Sequence, residues 1–270
     1  MRVFSKFCLL KNPLKLFLGV LTVLSARIGW ADQYSLAPLP PSNDEVRWTL
    51  GPAKANLGDF ATIDVPEGYR FTDPRGASIL LQRMRNPIPR NLVGILAPDS
   101  GKSWVVLDFS DVGYLRDLGV HSQVNAAAVM RSVRSHMDYE NSRRAKQGAQ
   151  AIASLEWATP PVFDATQNSL EWAVRAETHV SKFVDLQEVT ETNAVVNHTL
   201  RLIGKQRVIG LTSVRAEQLV GDIIPLGDLA KNISFNPGER YADYKLGDKL
   251  SKYTLEELVA GEAEPVPLSP

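Results

Sequence analysis

Cysteine is almost absent from this chain: Cys8 is the only one among 270 residues. A disulfide framework and a Cys-based zinc cage are therefore excluded. Neither charge is in excess, with 30 Lys+Arg against 30 Asp+Glu. No basic field of the kind that captures nucleic acid acts over the chain as a whole, so nucleic acid is not expected as a partner. Long hydrophobic runs are missing too. The stretch Leu16–Ala26 is eleven residues, well short of the roughly 20 that a spanning helix needs, and nothing after it is apolar enough to cross a bilayer. No internal repeat is found. What remains is ordinary globular composition, 44% hydrophobic and 22% charged, in a length that suits one large domain or two small ones.

The first thirty residues read as an address. Arg2, Lys6, Lys11 and Lys15 precede the apolar run, and Gly29-Trp30-Ala31 puts small residues at −3 and −1 of a cut before Asp32. That order is the signature of a cleaved secretory signal over residues 1–31, which implies an exported, periplasmic protein. The alternative is an uncleaved segment, Leu14 to Trp30, that anchors the chain to the inner membrane. Cleavage removes five basic residues and Cys8, leaving 25 basic residues against 30 acids, a mature charge near −5. Without cross-links the exported part must rely on its core, and a chain of this size buries on the order of 70% of its unfolded surface.

Residues 32–46 form a polar, Pro-rich linker. The core domain is expected over 47–236, with an irregular extension of the same domain over 237–261 and a flexible acidic tail over 262–270. Phe60 to Val65 alternates as a strand stopped by Pro66-Glu67-Gly68, and Tyr69-Arg70-Phe71 leads into a second turn at Asp73-Pro74-Arg75-Gly76. Leu92–Leu96 and Trp104–Phe109 predict a hairpin across Pro98–Gly101. A helix is predicted over Asn125–Gly148, where Ala126, Met130, Val133 and Met137 make an apolar stripe. Ala151, Ala153, Leu155 and Trp157 then share one face of a strand, and Leu170, Trp172, Val174 and Ala176 share one face of the next, with a long loop over 158–169 between them. Val196, His198, Leu200 and Leu202 pair with Ile209 and Leu211. Leu219, Ile223, Leu226, Leu229 and Ile233 follow at helical spacing, with Pro225 restricting where that helix starts. Consecutive hairpins without a βαβ rhythm give an α+β class, an antiparallel sheet packed against helices.

Tests for chemistry mostly fail. Gly101-Lys102-Ser103 lacks the glycine five residues earlier that a phosphate loop requires, because position 96 is Leu. G-x-S-x-G, H-E-x-x-H, C-x-x-C and G-x-G-x-x-G are all missing. His121, His136, His179 and His198 show no ligand-type spacing, so neither metal nor cofactor is expected. His198 falls on an apolar strand face, as a satisfied core histidine does. Glu156 and Glu171 stand as a possible proton-sharing pair across the Trp hairpin. Aromatic residues and turn residues are dense around Tyr114 with Asp117, around Trp157, Asp164 and Trp172, and in Arg240-Tyr241 with Asp243. Such residues serve as well to satisfy buried indole and phenol groups as to bind a ligand.

On these residues the sequence resembles a bacterial family, domain of unknown function 2167, described as predicted membrane-anchored proteins. The matching segments are Trp48-x-x-Gly51-Pro52, Leu57–Phe71, Trp104–Asp117, Asn141-x-x-Arg144-x-x-x-Gly148, Glu156–Ala173 and Gly238–Gly261, which span most of Trp48 to Gly261. The resemblance brings no established activity. It adds Asn141 and Arg144 to the candidate binding residues. Hydrophobic segments that such proteins tend to carry after the domain are not in this sequence, which leaves membrane contact to the N-terminal segment if uncleaved. A fainter similarity, in V-P-x-G-Y and a closing strand pair followed by a helix, is to PsbP/Mog1-like domains. The leading expectation is a non-enzymatic binding or accessory domain of the bacterial cell envelope, partnered by another envelope protein, with the 158–168 loop as contact surface. An envelope hydrolase with a dispersed carboxylate site, or a purely structural protein, are the alternatives.

Overall fold

Alternating apolar and polar residues build one large antiparallel sheet. The computed structural model describes residues 46–260 apart from 85, 87, 102, 117, 119–122, 136, 147–150, 185–186 and 218–223, and at 140, 143–144, 146 and 180–189 the backbone alone. The chain opens with strands β1 (Thr49–Leu50), β2 (Ala53–Leu57), β3 (Ala61–Val65) and β4 (Tyr69–Thr72). Helix α1 (Pro74–Arg83) and the hairpin β5 (Leu92–Pro98) and β6 (Val105–Asp111) follow. Helical segments α2 (Ala126–Ser135) and α3 (Met137–Lys146) precede four long strands, β7 (Ile152–Asp164), β8 (Ser169–Val184), β9 (Gln187–Ile203) and β10 (Arg207–Ala216). A short α4 (Leu226–Ala230), β11 (Ile233–Phe235) and α5 (Leu255–Ala260) close the fold.

The main sheet has eight strands in the order β1-β4-β5-β6-β10-β9-β8-β7, and a small sheet has the order β11-β3-β2. Every neighbouring pair is antiparallel. On one face Leu107, Leu200, Leu202, Ile209 and Leu211 pack against Leu57, Ile63 and Ile233 of the small sheet and Leu226 and Leu229 of α4. On the other, Leu170, Trp172, Val174 and Val208 pack under Val129, Met130 and Val133 of α2 and Leu255 and Leu258 of α5. Helix α1 lies over β5 and β6, joining Leu80 and Leu81 to Ile95 and Trp104. The architecture is the expected α+β class, antiparallel sheet with helices packed against it.

The long hairpin outgrows its neighbours. Pairing of β7 with β8 ends at Ile152↔Thr178, and pairing of β10 with β9 ends at Ala216↔Val195. Beyond those rungs, from His179↔Thr192 to Val184↔Gln187, β8 and β9 pair with each other. Among the described residues no third strand joins them there. Six residues of strand extend roughly 20 Å, so the sheet carries a two-stranded arm.

Several expectations are corrected. Asp73–Gly76 is not a turn but the start of α1: Asp73 Oδ1 accepts the Gly76 N–H at 2.9 Å, with Pro74 in the first turn. Asp-Pro reads as readily as a helix N-cap followed by a first-turn proline. The stretch 158–169 is not a long loop, because β7 runs to Asp164 and only residues 165–168 turn. Pro160 and Pro161 are tolerated since β7 is the edge strand and its register shifts between Trp157 and Val162, where a missing N–H and a bulge do least harm. Ala151 and Ala153 do not share the face of Leu155. Both are exposed while Ile152 is buried, because the register shifts between Ile152 and Ser154. Helical spacing through Ile233 does not give a helix that far; Ile233 opens β11 and pairs with Ile63. Leu219 and Ile223 lie outside the described residues. The stripe predicted on the 125–148 helix is buried at Met130 and Val133, with Val129 beside them; its proposed stop, Gly148, lies outside the described residues.

Candidate functional site

The candidate residues fall into two groups. The first forms where the C-terminal extension crosses the end of the main sheet. Tyr114 follows β6 and is held on both sides by backbone, its N–H donating to Lys249 O and its carbonyl accepting from Ser251 N, both at 2.8 Å. Its ring stacks between Tyr241 at 4.8 Å and Tyr244 at 4.0 Å. The Tyr241 hydroxyl donates to Leu115 O at 2.7 Å, the polar partner that a half-buried phenol requires. Asp243 Oδ2 accepts the backbone N–H of Gly238 at 2.8 Å and of Arg240 at 3.1 Å. Those bonds, the Gly238 one foremost, hold its carboxyl below the usual aspartate range. Arg240, Tyr241 and Asp243 thus form a tied 3₁₀ turn against Tyr114. Asp117 lies outside the described residues.

The second group belongs to the β7–β8 hairpin. Trp172 is 2% exposed, and its indole N–H finds no acceptor among the described residues. The Trp157 indole donates to Ala126 O at 3.0 Å, fastening the edge strand to α2. Asn141 clamps α3 to β7 with two bonds: its amide donates to Ile152 O at 2.9 Å, and its carbonyl accepts the Ile152 N–H at 2.8 Å. The Arg144 side chain is not among those described. Asp164 closes the hairpin turn, accepting the N–H of Thr166 at 2.7 Å and of Gln167 at 3.3 Å, and the Gln167 amide at 3.1 Å. The Thr166 bond does most to hold its carboxyl low. Trp172 is a core ring, and Asp164 uses its carboxylate on its own turn. Neither is presented as the stacking platform or proton donor of a carbohydrate-type site.

Three polar constellations escaped sequence reasoning. Glu156 does not face Glu171; it lies opposite Arg175, and Glu171 lies opposite Val162 and Leu200. Arg175 gathers Glu156 at 3.0 Å, Glu177 at 2.6 Å and Glu217 at 2.7 Å. The Glu217 bond, then Glu177, raises the guanidinium further above its ordinary value. Glu217 is held low by Arg175, and Glu177 by Ser154 first and Arg175 second. Glu171 Oε1 instead meets His198 Nε2 at 2.6 Å, so the strand histidine is partnered, with 23% of its side chain exposed. Arg201 and Asp108 form a buried pair at 2.8 Å across Gly210. An ion pair between Asp108 of β6 and Arg201 near the end of β9, reaching across β10, has no signal in a hydropathy pattern. The arm had one: β-branched and aromatic residues recur through Thr178–Val184 and Val189–Val196.

Among the described residues no group of three His, Cys, Asp or Glu side chains is placed to hold a metal ion. A family model described as "Protein of unknown function (DUF2167)" matches residues 49–266. The chain belongs to this family. No curated protein matches the DUF2167 chain. Among solved structures it is similar to the solution structure of cyanobacterial PsbP (CyanoP) from Synechocystis sp. PCC 6803. The identity is 14% over 72% of the DUF2167 chain and 95% of the cyanobacterial one, with a TM-score of 0.30. No helix among the described residues is long and apolar enough to cross a membrane.

Proposed function

We propose that this DUF2167 protein is an exported, non-enzymatic binding or accessory domain of the bacterial cell envelope, and that the β8–β9 arm is the element that meets another envelope protein. The observation that carries the reading is the run of rungs from His179↔Thr192 to Val184↔Gln187, projecting past the last pairings of β7 and β10. An extended ladder with outward backbone edges is suited to β-augmentation, in which main-chain bonds supply affinity and alternate side chains supply selectivity. The disposition of the polar candidates supports it as well: Asn141, Asp164 and Asp243 are each committed to backbone groups of their own fold. The proposal places the contact surface on the arm rather than on 158–168, because the β7 edge there is interrupted by Pro160 and Pro161 and by shifts in register, which break an edge ladder.

The test replaces residues 181–190 by Asn-Gly, so that the Val180↔Glu191 rung closes on a two-residue hairpin loop. The tagged full chain and this variant are used for affinity capture from envelope fractions. A partner held by the full chain and lost by the variant, at an unchanged melting temperature, is the expected result. Equal recovery by both, or capture of nothing by either, overturns the reading.

A further inference from the structure

We propose that Lys245–Lys252 is a membrane-surface contact: Leu246 enters the interface of a bilayer rich in anionic phospholipid, and the lysines around it engage the headgroups. Leu246 is 99% exposed and Leu250 is 40% exposed. A fully exposed leucine is unremarkable on a loose loop, but this one sits on a built turn. The Asp248 N–H donates to Lys245 O at 3.0 Å, and Asp248 Oδ2 accepts the Lys245 N–H at 2.8 Å. Gly247 takes a φ of 103°, which a side chain would oppose. Asp248 also meets Lys205 of the β9–β10 turn at 3.7 Å, and Ser251 bonds Tyr114. The turn is thereby fastened to the end of the main sheet at two points, and it holds an apolar side chain out in solvent.

Its charge names the occupant. Residues 244–253 carry Lys245, Lys249 and Lys252 against Asp248 alone, in a chain whose total charge is zero. Lys249 lies 3.6 Å from Asp111 with 62% of its side chain exposed, and Lys252 sits 5.1 Å from the Tyr253 ring. Among the described residues no acid is within ion-pair distance of Lys245 or Lys252. A turn that offers one fully exposed aliphatic side chain within a segment of three lysines and one acid matches a layer of anionic headgroups over acyl chains. A protein hot spot would more often offer an aromatic or arginine anchor. The inference rests on the envelope reading only in that the protein must reach a membrane; it does not depend on the arm.

The test uses the full chain in a Cys8→Ser background with an environment-sensitive fluorophore at Leu246→Cys, and a second preparation labelled at Leu50→Cys, an exposed position on β1. Vesicles contain phosphatidylcholine alone or with about 30% phosphatidylglycerol. The expected result is a blue shift at position 246 with the anionic vesicles, little with the neutral ones and none at position 50. Lys245→Glu with Lys252→Glu weakens the apparent vesicle affinity by about tenfold or more. A water-like signal at 246 on anionic vesicles, an equal response to neutral vesicles, or equal shifts at 246 and 50 overturns the proposal. So does a shift that requires envelope protein in addition to lipid. The arm-shortened variant gives the same shift as the full-length arm, so failure here and failure of the arm are told apart.

Discussion

Trp172, Asp108 and Arg201 show what single side chains do for this protein. Trp172 lies across from Thr199 in the sheet and fills the helix-covered face. Trp172→Ala is expected to destabilise the fold by about 3–5 kcal/mol, since a buried ring of that size leaves a cavity that neighbours fill only in part. Trp172→Phe keeps an aromatic ring and removes an N–H that has no protein acceptor among the described residues, so its effect is smaller. Urea unfolding of the three proteins orders them. Asp108 and Arg201 are a sharper case, with 11% and 6% side-chain exposure. Asp108→Asn strips the carboxylate from a buried guanidinium, and breaking such a pair from one side is expected to lose about 3–5 kcal/mol. Gly210→Ala is expected to destabilise as well, because an added Cβ would overlap both Arg201 and Asp108. The same unfolding experiment checks both. None of this was legible in sequence for the ion pair, since register across three strands decides it. The burial of Trp172 was, from the i, i+2 pattern of Leu170, Trp172, Val174 and Ala176.

Elements add pairing and edges to what single residues do. The Arg175 cluster joins β7, β8 and the end of β10 through Glu156, Glu177 and Glu217. Glu177 and Glu217 are held below the ordinary glutamate value of 4.5. A carboxylate with a depressed folded pKa adds stability that is present above its unfolded value and lost as pH falls through the folded one. Stability is therefore expected to decline as pH falls below the ordinary glutamate range, and Arg175→Met is expected to flatten that part of the decline. Urea midpoints across the decline decide it; an unchanged slope in the variant would show that the cluster is not its source. Why some elements were legible and others not is visible at this scale too. The β5–β6 and β9–β10 hairpins follow from alternation and their turn residues, and both are present. Helix α1 was hidden because Asp-Pro serves turns and helix starts alike. Strand β7 was hidden because two prolines in a row read as loop unless the strand is known to be an edge, which only the assembled sheet reveals.

Taken as a whole, the sheet has two ends with different equipment. Strand β9 runs from Gln187 to Ile203, an extended span of roughly 50 Å. One end is the arm, where β8 and β9 continue alone. The other is the end of β6 and the β9–β10 turn, where Tyr114, Lys205 and the 245–252 segment meet. A body that rests on anionic lipid at the second end points the first away from the surface, where an envelope partner has room to add to the ladder. The two sites share no residue and sit far apart, so their energetics are expected to add. The arm-shortened variant keeps its affinity for anionic vesicles, and the Lys245→Glu, Lys252→Glu variant keeps capture of the partner from detergent-solubilised envelopes. With both changes in one chain, vesicle binding and capture are lost together, each by the amount of its own variant. Flotation with partner present measures both at once. Loss of partner capture on breaking the lysine turn would mean that the two ends form one interface, and the division of the molecule into a lipid-facing end and a partner-facing arm would fall.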